Sequence, residues 1–334
     1  MSNPTMTNQT PFSPAHGPKA AVDPFDPALI SEETEAFNQS LLATMETVPD
    51  NWSVAPSVVR ATRAKDGGPF PPPVKLDHAR WIEHDGVRIR LLEPQTREAQ
   101  GIYLHFHGGG WTFGQADFQD TALQRLSEAT GLIAASVAYR LAPEHPFPAA
   151  PSDCLTAAAW AFAQDMPVFM GGESAGAHLG LLTALQLRDA GIACAGLALL
   201  AGCFDLTLSP SARAWGSKRL VLTTRDIAMF VRQCVPDHMD ARAPTVSPLY
   251  AHLDGLPPCF LSVGTADPLL DDSLFLHQRL MAAGVETQLA VAPGGCHGFH
   301  AFDLGIAREA EAATFTFLNA MLADLEIPQP EDLS

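Results

Sequence analysis

The chain has 334 residues, 47% of them hydrophobic, and its 20 Lys and Arg against 37 Asp and Glu leave a net charge of −17. That supply of apolar side chains supports one large domain or two ordinary ones and excludes disorder over most of the length. The acidic balance disfavours nucleic acid and anionic lipid surfaces as partners, and no apolar run approaches the ~20 residues of a membrane helix. Residues 1–24 read as disordered or loosely attached. They are polar and carry several prolines without the apolar core of a signal peptide, so the expected location is cytoplasmic. Residues 27–47 place Leu29, Phe37, Leu41, Leu42 and Met45 at helical spacing and predict an amphipathic helix. Helix character fades near Pro49, and Gly67-Gly68-Pro69 with Pro71-Pro72-Pro73 reads as an extended linker. Asp85-Gly86, a preferred type I′ pair, joins strand-like runs over 79–84 and 87–92 into a hairpin.

From residue 101 strand and helix signals alternate. Strand candidates are 101–106, 132–138, 167–171, 195–202, 258–264 and 286–292; helical stretches lie near 117–129, 151–164, 175–189, 271–283 and 307–324. This alternation predicts a mostly parallel sheet with helices on both faces. The interval 205–250 breaks the rhythm and is too long for a simple crossover, so it reads as an insertion over the strand ends. The weakly polar run Gly191 to Phe204 fits a buried strand with its approach loop. Cysteines 154, 194, 203, 234, 259 and 296 are dispersed without a CxxC pair, the pattern of reduced, buried thiols and not of a disulfide framework or zinc site.

Two short motifs carry chemistry. Gly172-Glu173-Ser174-Ala175-Gly176 follows the apolar run Val168-Phe169-Met170 and opens a helical run at Ala177-His178-Leu179. A serine on so sharp a strand-to-helix turn projects its hydroxyl above the sheet edge, near the positive end of the helix. The plain alternative is a glycine-rich helix start capped by Ser174. His107-Gly108-Gly109-Gly110-Trp111 follows the first parallel strand, and its bare N–H groups suit the stabilisation of an oxyanion. A phosphate cradle would need a Lys-Ser/Thr ending, which is absent.

A serine nucleophile needs an imidazole to take its proton and a carboxylate to orient that imidazole, here in the chain order Ser, acid, His. The histidines after Ser174 are 178, 238, 252, 277, 297 and 300. His178 lies too near the nucleophile in sequence, and His277 sits within a helical run. His297 follows the last strand-like run, in a loop able to reach back over the strand ends, and His300 shares that loop as an alternative. Asp267 follows the buried run Phe260 to Gly264 and precedes a proline, at a strand end where ligands bind in open α/β sheets. Asp205 precedes the insertion, while Asp271 and Asp272 look like helix N-terminal charges.

Taken with Tyr139-Arg-Leu-Ala-Pro-Glu-His-Pro-Phe-Pro148, Asp267-Pro-Leu269 and His297-Gly-Phe299, these motifs make the chain resemble the hormone-sensitive-lipase-like bacterial carboxylesterases of the α/β-hydrolase fold, from about Asp85 to Ala323. The resemblance implies an eight-stranded, mostly parallel sheet with helices on both faces and a helical cap. The catalytic domain would comprise 76–204 and 251–326, and the cap 25–75 and 205–250. It further implies a serine esterase for short-chain carboxylic esters, working through an acyl-enzyme. Ser174 would be the nucleophile, His297 the base and Asp267 its orienting acid, with the N–H groups of Gly108, Gly109 and Ala175 receiving the oxyanion. His107 would anchor the glycine loop. Glu173 stands where the family often has Asp or Thr, and could bond neighbouring loops or face the acyl end of the site.

Trp111, Phe113, Trp215, Met229 and Phe230 are the candidate walls for substrate. Amide, lactone or formamide hydrolysis would use the same apparatus, and a non-catalytic ligand-binding relative would be expected to lack the histidine. No metal-ligand cluster or dinucleotide fingerprint is apparent, so no cofactor is required. A small-molecule ester is the expected partner, and a homodimer is a candidate assembly because dimers are common among relatives. The acidic balance favours neutral esters unless Arg140, Arg213 or another cation lies in the pocket.

Overall fold

An apolar alternation of period two sets the architecture. On strand β3 (Gly101–Phe106), Ile102, Leu104 and Phe106 enter one core cluster while Tyr103 enters another. On β5 (Val168–Glu173), Val168 and Met170 take the first cluster and Phe169 the second. On β6 (Gly196–Leu200), Leu197 and Leu199 oppose Ala198 in the same way. Strands apolar on both faces must be covered on both. Helices α4 (Ala149–Phe162), α5 (Ala175–Asp189) and α8 (Leu270–Ala282) supply Ala157, Leu179 and Leu276 to the first cluster. Helices α3 (Asp120–Thr130) and α9 (Gly305–Glu326) close the other face with Leu126 and Phe317.

The computed structural model describes residues 23–66 and 68–326. The loosely attached segment expected over 1–24 falls almost wholly outside them, as does Gly67 of the expected linker. The sheet has eight strands in the order β1-β2-β4-β3-β5-β6-β7-β8, with β1 (Arg80–His84), β2 (Val87–Leu92), β4 (Leu132–Val137), β7 (Cys259–Ala266) and β8 (Thr287–Cys296) as the remaining members. The first two strands pair antiparallel, β2 joins β4 antiparallel, and all other pairings are parallel. Asp85 and Gly86 take φ of 46° and 80° at the hairpin tip, as a type I′ turn requires. Because β4 and β5 flank β3 on opposite sides, the chain reverses direction of travel across the sheet at β3. The loops leaving β3 and β5 therefore diverge and open a crevice at the strands' C-terminal ends. All six cysteines are buried and unpaired. Among the described residues no helix is long and apolar enough to cross a membrane.

The predicted helix over 27–47 is α1 (Glu32–Thr47), capped by Ser31, whose hydroxyl accepts from Thr34 N at 3.1 Å. The fading of helix after Pro49 is corrected by a second helix, α2 (Pro56–Asp66). Proline at the first helical position costs nothing there, because that N–H has no intrahelical acceptor. Only Val59 of α2 is buried, so the sequence carries little periodic signal. Its placement depends on Arg60, whose guanidinium donates to Thr112 O at 3.1 Å and Ala142 O at 3.3 Å and pairs with Glu144.

The 205–250 interval contains α6 (Pro210–Ala214) and α7 (Thr224–Cys234). A capping box at Thr223 and Asp226 starts α7, and Asp226 also accepts from Trp52 Nε1 at 2.7 Å. Arg225 pairs with Asp50 at 2.8 Å, and the Trp52 ring meets Phe230 edge-on with centroids 4.9 Å apart. The segment before the sheet and the insertion thus touch directly above the crevice.

Candidate active site

Steric crowding dictates the turn between β5 and α5. A Cβ on Gly172 would lie 1.9 Å from Phe106 O, and one on Gly176 1.8 Å from the same oxygen. Only glycine lets the elbow cross the end of β3 at that distance. Ser174, between them, is held at φ 56° and ψ −118°, a region that costs a non-glycine residue of order 1–3 kcal/mol and persists only when its surroundings enforce it. The strain lifts the hydroxyl clear of the backbone. Ser174 Oγ lies 2.9 Å from His297 Nε2. The other ring nitrogen, Nδ1, faces both oxygens of Asp267 at 3.0 and 3.1 Å. Asp267 is 1% exposed and His297 4%, and Leu269 N donates to Asp267 Oδ1 at 2.8 Å. A register irregularity between Gly264 and Ala266 shifts the last pairing of β7 and β8 to Ala266 and Cys296, which delivers both side chains to the same strand end.

The three residues chosen from the sequence for nucleophile, base and acid therefore stand in hydrogen-bonding succession. His300, the alternative base, points elsewhere: its Nε2 lies 2.9 Å from Ser262 Oγ, and burial pushes its pKa down to about 4. His178 is equally removed. Its Nδ1 accepts from Trp111 Nε1 at 3.1 Å and its Nε2 donates to Val246 O at 2.8 Å.

The glycine loop requires a correction. Gly108 N, expected to face an oxyanion, donates instead to Glu173 Oε1 at 2.5 Å. Glu173 Oε2 lies 3.0 Å from His105 Nε2, and His105 Nδ1 lies 2.9 Å from Ser136 Oγ. Burial alone would push the Glu173 carboxyl up; His105 and the Gly108 N–H outweigh it and hold the group below the usual carboxylate range. A charged carboxylate is the strongest acceptor within reach, so it takes the first N–H of the loop. Glu173 thus bonds the neighbouring loop. Gly109, Gly110 and Ala175 line the same cavity as Ser174 and His297. Among the described residues the N–H groups of Gly109 and Gly110 have no acceptor, and that of Ala175 lies in the first turn of α5, where an intrahelical acceptor is lacking.

His107 anchors this loop. Its Nδ1 donates to Gly108 O at 2.8 Å, the Tyr139 hydroxyl donates to His107 O at 2.6 Å, and the two rings stack at 4.2 Å. Burial pushes its pKa down to about 4, so the imidazole stays neutral.

The cavity measures about 700 Å³. Of the five expected wall residues, Trp111 and Phe230 line it; Phe113, Trp215 and Met229 do not. Phe113 is fully buried beneath Trp52 and Phe230. The Trp215 indole N–H is committed to Lys218 O and Leu222 O, both at 2.9 Å, bracing its own turn. On α7 the inward residues are Ile227 and Phe230, three apart on one face, and Met229 lies a residue's rotation away. Phe70, Phe118 and Phe302 are among the further aromatic lining residues; nothing local in the sequence distinguishes them from ordinary core.

A family described as alpha/beta hydrolase fold matches residues 103–301. The chain is 28% identical to carboxylesterase NlhH of Mycobacterium tuberculosis over 295 residues, covering 80% of this chain and 90% of that protein. It is 32% identical to an acetyl esterase of Salmonella schwarzengrund over 225 residues, 64% of this chain and 69% of that one. A crystal structure of a hormone-sensitive lipase from a metagenome library superposes with a TM-score of 0.78 at 27% identity, covering 86% of this chain and 98% of that one.

Proposed function

As the chain belongs to the α/β-hydrolase family, among its hormone-sensitive-lipase-like carboxylesterases, and is a carboxylic ester hydrolase, we propose that it cleaves its esters through Ser174, His297 and Asp267. The observation that carries the reading is the unbroken contact from Ser174 Oγ to His297 Nε2 and from His297 Nδ1 to Asp267. His297 takes the Oγ proton as Ser174 attacks the ester carbonyl carbon. Asp267 fixes the tautomer in which Nδ1 carries its hydrogen and Nε2 is free to accept. The carbonyl oxygen becomes an anion that receives the N–H groups of Gly109, Gly110 and Ala175; each such donor is worth about 10²–10³ in rate. His297 then protonates the departing alcohol, leaving Ser174 acylated. Water enters, gives its proton to His297, attacks the acyl carbon, and the acid leaves as Ser174 recovers its proton.

The helical segments 25–75 and 205–250 act as a cap that shapes the cavity, joined by the contact of Trp52 with Asp226. Phe230 covers Gly110, where an added Cβ would meet its ring at 2.2 Å. Trp111 is pinned to His178. These rigid walls beside the glycine loop support a short acyl group, and the name of the Salmonella relative, acetyl esterase, points the same way.

Ser174→Ala tests the assignment. Turnover of an acetate ester should fall at least about 10⁴-fold with the fold intact by circular dichroism, and a fluorophosphonate should label the unsubstituted chain at Ser174. Substantial turnover by the alanine variant would refute the assignment.

A further inference from the structure

Three arginines line the cavity: Arg63, Arg125 and Arg308. Arg125 pairs with Glu311 at 2.8 Å and Arg308 with Asp303 at 2.5 Å. Arg63 differs. Its guanidinium lies over the Phe113 ring, 4.5 Å from the centroid, and among the described residues it has no ion-pair or hydrogen-bond partner. The two cations singled out from the sequence are elsewhere: Arg140 is held by Asp153 at 2.7 Å, and Arg213 donates to Thr207 O on the exposed side of the insertion.

The nearest opposing charges leave the Arg63 fork open. Asp226 is occupied, Oδ1 by Trp52 Nε1 at 2.7 Å and Oδ2 by the Thr223 N–H at 2.9 Å and hydroxyl at 2.6 Å. Asp66 accepts from Gly68 N at 3.1 Å in an exposed turn. Both act on Arg63 only through space. Desolvation pushes the guanidinium down to about 10, so it remains charged at neutral pH. A guanidinium presents five N–H donors in a rigid plane shaped for a carboxylate. Arg63 is half-buried, and stacking on an aromatic face offsets only part of its desolvation, so a carboxylate on the open fork would be a favourable partner.

Position ties this cation to the reaction. Arg63 stacks on Phe113, whose ring centroid is 5.4 Å from that of Phe230, and Phe230 packs against Gly110 of the glycine loop. Arg63 thus lines the same cavity as Ser174 and is joined to the glycine loop through the packed rings of Phe113 and Phe230. The net charge of −17 repels anions at long range, so a preference for them must come from direct contact.

We propose that Arg63 binds a second, anionic oxygen group of the substrate, so that the enzyme hydrolyses monoesters of dicarboxylic acids with the free carboxylate on Arg63 and the ester carbonyl at Ser174. This rests on the assignment of Ser174 as nucleophile.

The test compares kcat/KM for monoethyl succinate, glutarate and adipate with that for ethyl butyrate, valerate and hexanoate, in the unsubstituted chain, Arg63→Gln and Arg63→Lys. At least one half-ester should exceed its neutral counterpart. The half-ester to neutral-ester ratio should fall at least about tenfold in Arg63→Gln, mainly through KM, with part of it retained in Arg63→Lys. A ratio unchanged by Arg63→Gln, or no half-ester preferred by the unsubstituted chain, would overturn the inference. The second criterion holds even if the variants fail to fold. Ser174→Ala should abolish turnover of both ester types; turnover surviving in it would overturn the catalytic assignment and this inference with it.

Discussion

Replacing Asp272 with Asn should remove a pH dependence of stability that the fold builds in. Asp272 is fully buried in the first turn of α8. Its Oδ1 accepts from Phe204 N at 2.6 Å and Asp205 N at 2.8 Å, while Oδ2 is buried without a partner. Burial pushes the carboxyl from 3.8 up to about 7, against the pull of the Ser209 hydroxyl and of those backbone N–H groups. A raised acid binds its proton more tightly in the folded than in the unfolded chain, so stability is greatest at low pH for this group. It declines as pH rises through the interval between the two values, then levels off. Three pKa units correspond to about 4 kcal/mol, of which about 3 kcal/mol falls between pH 5 and pH 8. Asparagine keeps an oxygen for the two N–H groups and cannot ionise. Guanidinium unfolding of both proteins at pH 5, 6, 7 and 8 should show the variant gaining on the parent by about 3 kcal/mol across the series. Parallel pH profiles for the two proteins would refute the reasoning, because they would mean that the buried carboxyl carries no proton linkage.

Two other substitutions probe the elbow. Gly176→Ala places a methyl 1.8 Å from Phe106 O, a clash with backbone that no rotamer relieves. Thermal melting should show destabilisation of about 3 kcal/mol or more, and a variant as stable as the parent would mean that the elbow does not cross β3 so closely. Glu173→Ala strips the acceptor from Gly108 N and from His105. In steady-state kinetics kcat should drop about 10- to 100-fold with KM little changed, and Glu173→Gln, which keeps an oxygen for Gly108, should recover most of the loss.

What could be read in the chain beforehand was what is encoded locally. The glycines around Ser174, the proline after Asp267 and the loop holding His297 are each short stretches whose geometry follows from their own residues. Their assembly into one chain of contacts needed only the order of the strands. The role expected of Gly108 fails because the fate of its N–H depends on the Glu173 carboxylate brought across from the neighbouring strand, an interaction that a run of three glycines does not reveal. Helix α2 leaves little trace in the sequence because it buries Val59 alone and owes its position to carbonyls of Thr112 and Ala142. Met229 and Phe230 could not be separated without the rotation of α7, which is fixed by Trp52 from the far end of the chain.

Glu173 precedes the proposed nucleophile by one peptide bond, and its carboxylate holds the loop whose N–H groups are the proposed oxyanion donors. In the proposed mechanism the attacking oxygen and its electrostatic receptor are therefore mounted on one short strut. A displacement of the elbow should carry the loop with it, because the Glu173 carboxylate ties the two together.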